Sequence, residues 1–218
     1  MKSKVAAYFG FIAFGLIVLG AVLSAWFYSG RTNESYSFFN HFISELGNRN
    51  YSSHAYFFND AMILGGIPVM VFMYGIYTML QSRIRYVFLF TGLLAGMLCM
   101  LLGHFSSDRY EIHIKVALGQ FNTMLVSSIL FSLAVLREGA KSYFPRWIAY
   151  IGALPIVCIA IFLGLEYSHQ ADMKNGHIHQ LLYHRPAIWP LPFMEWVVFF
   201  SLMVWIALIC GYVVSRKE

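Results

Sequence analysis

Charge is what this chain has least of. Of its 218 residues only 11% are Asp, Glu, Lys or Arg, while 59% are hydrophobic. A soluble domain carries about a quarter charged residues, so the composition excludes an ordinary soluble globular protein. Cysteine is scarce as well: Cys99, Cys158 and Cys210 are the only three, and each falls inside an apolar run. Thiols so placed behave as small hydrophobes, which argues against disulfide or thiolate-metal chemistry. The sequence has no His-Glu-x-x-His, no Cys-x-x-Cys and no nucleophile elbow, the spacings that mark a zincin, a thiolate zinc site or a serine hydrolase. Ionised residues are missing from the middles of the runs, where an ion pathway would need them. Histidines are missing there too, which argues against haem. No loop carries a basic stripe interleaved with aromatics, so the pI near 9.1 does not point to nucleic acid. Internal repeats and low-complexity tracts are also absent.

What remains is apolar sequence in long pieces. Six runs approach or exceed the roughly 20 residues that span a hydrocarbon core: Val5–Tyr28, Ala61–Leu80, Tyr86–Phe105, Val116–Leu136, Trp147–Leu165 and Pro192–Val214. They leave little chain for a separate soluble domain. The expectation is all-α: one polytopic domain over residues 1–218, a bundle of six transmembrane helices. The first run is longer than the apolar core of a secretory signal and is followed by no clear small-x-small cleavage site, so it reads as a retained helix.

The loops divide into two chemical classes. On the side holding both termini lie Lys2, Lys4, Arg83, Arg85, Arg137, Lys141, Arg146, Arg216 and Lys217, against two acids, Glu138 and Glu218. By the positive-inside rule this face is cytoplasmic, which predicts a cell (inner) membrane protein with both termini inside. The opposite face carries the other six basic residues, eight acids and all eight histidines. A functional site is expected to open there.

The first outer loop holds Ser35-Tyr-Ser-Phe-Phe-Asn-His-Phe-Ile-Ser-Glu-Leu-Gly47. Phe38, Phe39, Phe42, Ile43 and Leu46 recur at helical spacing, with Ser37, Asn40, His41, Ser44 and Glu45 opposite. This pattern predicts a short amphipathic helix at the outer membrane surface or folded over the bundle mouth, ending at Gly47. Asp60 is placed to cap the second span. Gly65, Gly66 and Pro68 in that span, and Gly92-x-x-x-Gly96 in the third, predict close helix packing. Gln120 and Asn122 lie inside the fourth span, where polar side chains are expected to face the bundle interior.

Ser44-Glu-Leu-Gly47 after the first span, Asn59 at the second, and Gly103-x-Phe105, Asp108 and His113 between the third and fourth together carry a resemblance. The chain resembles the prokaryotic six-helix family catalogued as domain of unknown function nine hundred and ninety-eight, itself distantly reminiscent of FRAG/DRAM-type membrane proteins. The resemblance implies fold and topology and brings no activity. It would lead one to expect Phe-Pro where this sequence has His104-Phe-Ser.

Three functional classes stay open. In the first, histidine and carboxylate ligands hold zinc and the protein hydrolyses or remodels a lipid. His41, His104, His113 and Asp108 are then the candidate ligands, with His177 and His179 completing a shell. Glu45, Ser44, His113 and Asp108 are the candidate catalytic residues, with Glu45 or Glu195 as general base. Asn59, Arg109 and Glu195 are the candidate substrate contacts. In the second class the same outward cluster receives the headgroup of a membrane lipid without chemistry, Arg109 and Arg185 gripping phosphate. In the third the protein is an accessory subunit of a larger membrane complex, and no closed pocket is expected.

Overall fold

Six apolar runs in water-free surroundings have one local solution, because every backbone N–H and C=O must be paired within the segment. The computed structural model describes residues 3–174 and 181–216, with side chains for all but 169–174. Its helices are α1 (Ser3–Trp26), α2 (Ala55–Met79), α3 (Ile84–His104), α4 (Tyr110–Glu138), α5 (Arg146–Ile151), α6 (Ala153–Lys174) and α7 (Pro190–Ser215). Among the described residues six helical segments are long and apolar enough to cross a membrane. The protein is a multi-pass membrane protein, and the all-α bundle expected from the runs is observed.

Helix α4 begins six residues before its apolar run and α6 continues nine residues past its own; three further differences each have a physical reason. Helix α2 begins at Ala55, so Asp60 lies exposed in its second turn, and His54 occupies the cap position. The fifth run is two helices, α5 and α6. Pro155 lacks an N–H, and its ring crowds the carbonyl four residues back, at Ile151, where α5 stops. In the first outer loop, helical geometry is confined to a 3-10 turn over Ile43–Gly47. The loop's two faces are also not kept apart: His41 and Glu45 are buried together with Ile43 and Leu46, while Phe38 and Phe39 are exposed. Polar side chains go inward here because partners await them inside.

Helices α1 to α4 pack in sequence order, α7 closes against α1, and α6 packs on α4 and α7. Glycine sets the closest approach. A Cβ on Gly66 would meet the Gly96 carbonyl and Met100, and one on Gly103 would meet the Asn59 carbonyl. The small residues of α2 and α3 therefore serve backbone contact. At the end of the bundle near the termini, Phe88, Phe131, Phe144 and Trp205 are buried, with ring centroids 5.2–6.2 Å apart. That end is plugged by aromatic packing.

Candidate functional site

The outer end of the bundle holds two adjoining cavities. The inner one, about 130 Å³, lies among α1, α2, α3, α4 and α7. Its deep wall is apolar, with Val69, Met73, Met124, Leu202 and Ile206. The outer one, about 100 Å³, is lined by Arg31, Glu45, Asn48, Tyr110 and Glu166 among others. Ser44, His113, Ala117, Phe121 and Glu195 line both. A cavity whose lining mixes charged and apolar side chains therefore shares a wall with one that is almost wholly apolar.

Each polar side chain of that wall is placed by its own element. His113 sits in the first turn of α4, 7% exposed, its Nδ1 2.7 Å from the Phe105 carbonyl. Glu195, on α7 and also buried, accepts the Ile43 N–H through Oε2 at 2.7 Å. That bond ties α7 to the first outer loop. Ser44 follows in the 3-10 turn, and its carbonyl accepts the Ser107 hydroxyl at 3.0 Å. Asn59, buried on α2, donates to the Gly47 carbonyl at 2.9 Å and lines the inner cavity. Gln120 faces the inner cavity as the sequence suggests, with its Oε1 buried and unpartnered. Asn122 faces outward and donates to the Leu118 carbonyl and the Tyr167 hydroxyl.

Glu45 has a different place. Arg185 grips it bidentately, Nη1 to Oε1 at 3.0 Å and Nη2 to Oε2 at 2.6 Å, with both side chains 8% exposed. Oε1 also accepts the Phe42 N–H, and Oε2 the Tyr28 hydroxyl. Every oxygen is engaged, the arrangement of a strut rather than of a free proton acceptor. Arg185 also donates to the Asn40 carbonyl, Asn40 donates to the Pro186 carbonyl, and the Trp189 N–H donates to the Phe39 carbonyl. These bonds lash the last outer loop to the first, over the cavities.

The remaining predicted residues lie apart. His41 packs edge-on to Tyr28, with Nε2 3.6 Å from Glu34, and lines neither cavity. Burial and the nearby Arg185 charge lower its pKa from 6.5, against the pull of Glu45 and Glu34. Burial raises the pKa of Glu34 less than hydrogen bonds from Thr32 and backbone N–H groups lower it, leaving it at about 2. Burial pushes the Tyr28 and Tyr36 hydroxyls up, helped by the charge of Glu45. His104 and Arg109 are exposed, and Asp108 accepts the Ser106 hydroxyl; all three lie outside both cavities. The four candidate zinc ligands therefore do not converge. No group of three or more His, Cys, Asp or Glu is arranged to hold a metal among the described residues. His177 and His179 lie outside those residues.

Two contributors escaped the sequence reading as site residues. Glu166, 4% exposed, lines the outer cavity; its only signal was an acid directly after an apolar run. Arg31 lines it too, stacked on Tyr51 at 4.1 Å.

Fold and site together define a six-span membrane protein with an amphipathic chamber at the end of the bundle opposite its termini. The family described as "Protein of unknown function (DUF998)" has a model that matches residues 11–212, and the chain belongs to that family. No curated protein and no solved structure matches it.

Proposed function

We propose that the protein binds one membrane amphiphile in the paired cavities, the apolar chain in the inner one and the polar end at His113, Glu195 and Ser44. The observation that carries this reading is the shared wall: its polar side chains, Ser44, His113 and Glu195, come from three separate elements and stand against a deep wall that is apolar. Ligand sites of this kind are mostly apolar with a few convergent polar groups. An accessory subunit would need no such chamber. Metal-assisted hydrolysis draws no support from the geometry, since His41, His104 and Asp108 stand outside both cavities.

The membrane in question is the cell membrane, with both termini cytoplasmic and the chamber facing outward. The support is the division of charge, nine basic residues against two acids on the terminal side. Lipid therefore reaches the chamber from the outer leaflet.

The test is mass spectrometry of organic extracts from protein purified in mild detergent. The reading expects one amphiphile class enriched to near one per chain over a control membrane protein prepared alongside. Lipid indistinguishable from the control would overturn it, and a stable co-purifying protein would then favour the accessory-subunit reading.

A further inference from the structure

Two hydrogen-bond acceptors of the chamber are left without donors, and they bear on the ligand's polar end. A carbonyl can only accept, so the 2.7 Å contact with Phe105 puts the proton of the neutral His113 ring on Nδ1. Nε2 is left as a bare acceptor. It has no hydrogen-bond partner among the described residues, on a side chain 7% exposed that lines both cavities. Gln120 Oε1 is a second buried acceptor without a partner, facing the inner cavity. Asn59 uses one amide N–H on Gly47. Glu195 contributes a carboxyl group to the shared wall.

No Arg or Lys lines the inner cavity among the described residues. Arg185 is spent on Glu45 and the Asn40 carbonyl. Arg31 lies on the outer cavity against the Tyr51 ring and hydroxyl, its Nε buried and unpartnered, and does not reach the lining of the inner one. An anionic headgroup pushed past the shared wall would meet these acceptors and Glu195, with no Arg or Lys to answer it among the described residues that line the inner cavity. A buried acceptor left without a donor is costly, so the ligand itself supplies the donors.

Resting on the amphiphile-binding reading above, we propose that the shared wall receives the protonated amine or amino-alcohol end of a single-chain amphiphile. The size supports one chain: an apolar cavity of roughly 150 Å³ holds a benzene-sized molecule, and this one is about 130 Å³. The carbons next to the polar end fill it, and the rest of the chain continues between helices. His113 Nε2, Glu195 and Gln120 accept from the amine and hydroxyl.

The experiment uses the full chain in nanodiscs at pH 7.5 with five twelve-carbon probes: dodecylamine, 2-aminododecanol, dodecanol, dodecanoic acid and dodecyl phosphate. Binding is read by competition against a fluorescent alkylamine and, independently, by native mass spectrometry. The amine and amino alcohol are expected to bind about tenfold or more tighter than the acid and the phosphate, the scale of a charged donor finding a buried acceptor. Gln120→Leu and Glu195→Gln are expected to reduce that preference while the melting temperature confirms folding. If Glu195→Gln fails to fold, Gln120→Leu carries the test. Equal or tighter binding of the acid or phosphate, or an amine preference untouched in the folded variants, overturns the inference and leaves the chamber reading standing. No binding of any probe overturns the chamber reading itself.

Discussion

Replacing Arg185 by Met is the sharpest perturbation of the outer face, because it removes one half of a buried, bidentate ion pair. Glu45 and Arg185 are each 8% exposed and meet at 2.6 and 3.0 Å. Removing one partner of such a pair costs about 3–5 kcal/mol, since the other charge stays buried without its counter-ion. Here Glu45 would keep the Phe42 N–H and the Tyr28 hydroxyl, which places Arg185→Met at the low end, about 3 kcal/mol. For a chain of this length that is a fall in Tm of about 6–12 °C. The three buried cysteines give the assay: a thiol-reactive dye reports their exposure as detergent-solubilised protein is heated. Replacing both partners by Met should recover most of the loss, leaving about 1 kcal/mol for the missing bond to Phe42. Hydrogen exchange should show the single variant loosened in residues 35–47 and little changed in α3. A Tm within about 1 °C of wild type for Arg185→Met would refute the idea that this pair holds the loops over the chamber.

Three other outcomes follow from the same structure. His41 has a folded pKa below its unfolded value of 6.5, so the stability it contributes is present above pH 6.5 and is lost as pH falls through the lowered folded value. Arg185, Glu45 and Glu34 are the charges that face it; the wild-type melting temperature should drop from pH 7 to pH 5, and His41→Gln should flatten that drop, an equal drop in both counting against the assignment. Gly66→Val should cost about 1–3 kcal/mol or more by driving a side chain into the α3 backbone, whereas Gly15→Val, with nothing within 4 Å of its Cβ, should melt like wild type; equal behaviour would mean that α2 and α3 are not in contact there. Asn59→Leu should cost about 1–3 kcal/mol by leaving the Gly47 carbonyl without its buried donor, and a neutral result in the same melts would show that the carbonyl finds another.

The bundle was legible because a bilayer allows so few backbone solutions. Apolar length alone marks each span, while the early starts of α2 and α4, the long end of α6, the break at Pro155 and the extent of the first-loop helix differ from the runs. Of the site, His113, Glu195, Ser44 and Asn59 were legible as polar residues on the outer face, and the chamber brings them to its walls. Glu45 was legible as an important acid but not as a strut, because its partner Arg185 lies 140 residues away. Asp108, His104 and Arg109 looked equivalent to these by composition. They differ only in which way their turn points after α3, and a string of residues does not carry that. The loop 35–47 shows the same limit. Its helical spacing left a place on the membrane surface and one over the bundle mouth equally open, and the bonds that decide between them, Arg185 to Glu45 and the Ile43 N–H to Glu195, come from residues far along the chain.

The chamber itself is tested most directly by filling it. Ala117 is 8% exposed and lines both cavities, so Ala117→Trp puts an indole where the ligand's polar end and chain would meet. Native mass spectrometry of protein released from membranes in mild detergent should then show one amphiphile bound per wild-type chain and none on the folded Ala117→Trp variant. The same adduct retained on the variant, or a wild-type chain that carries none, would contradict the account.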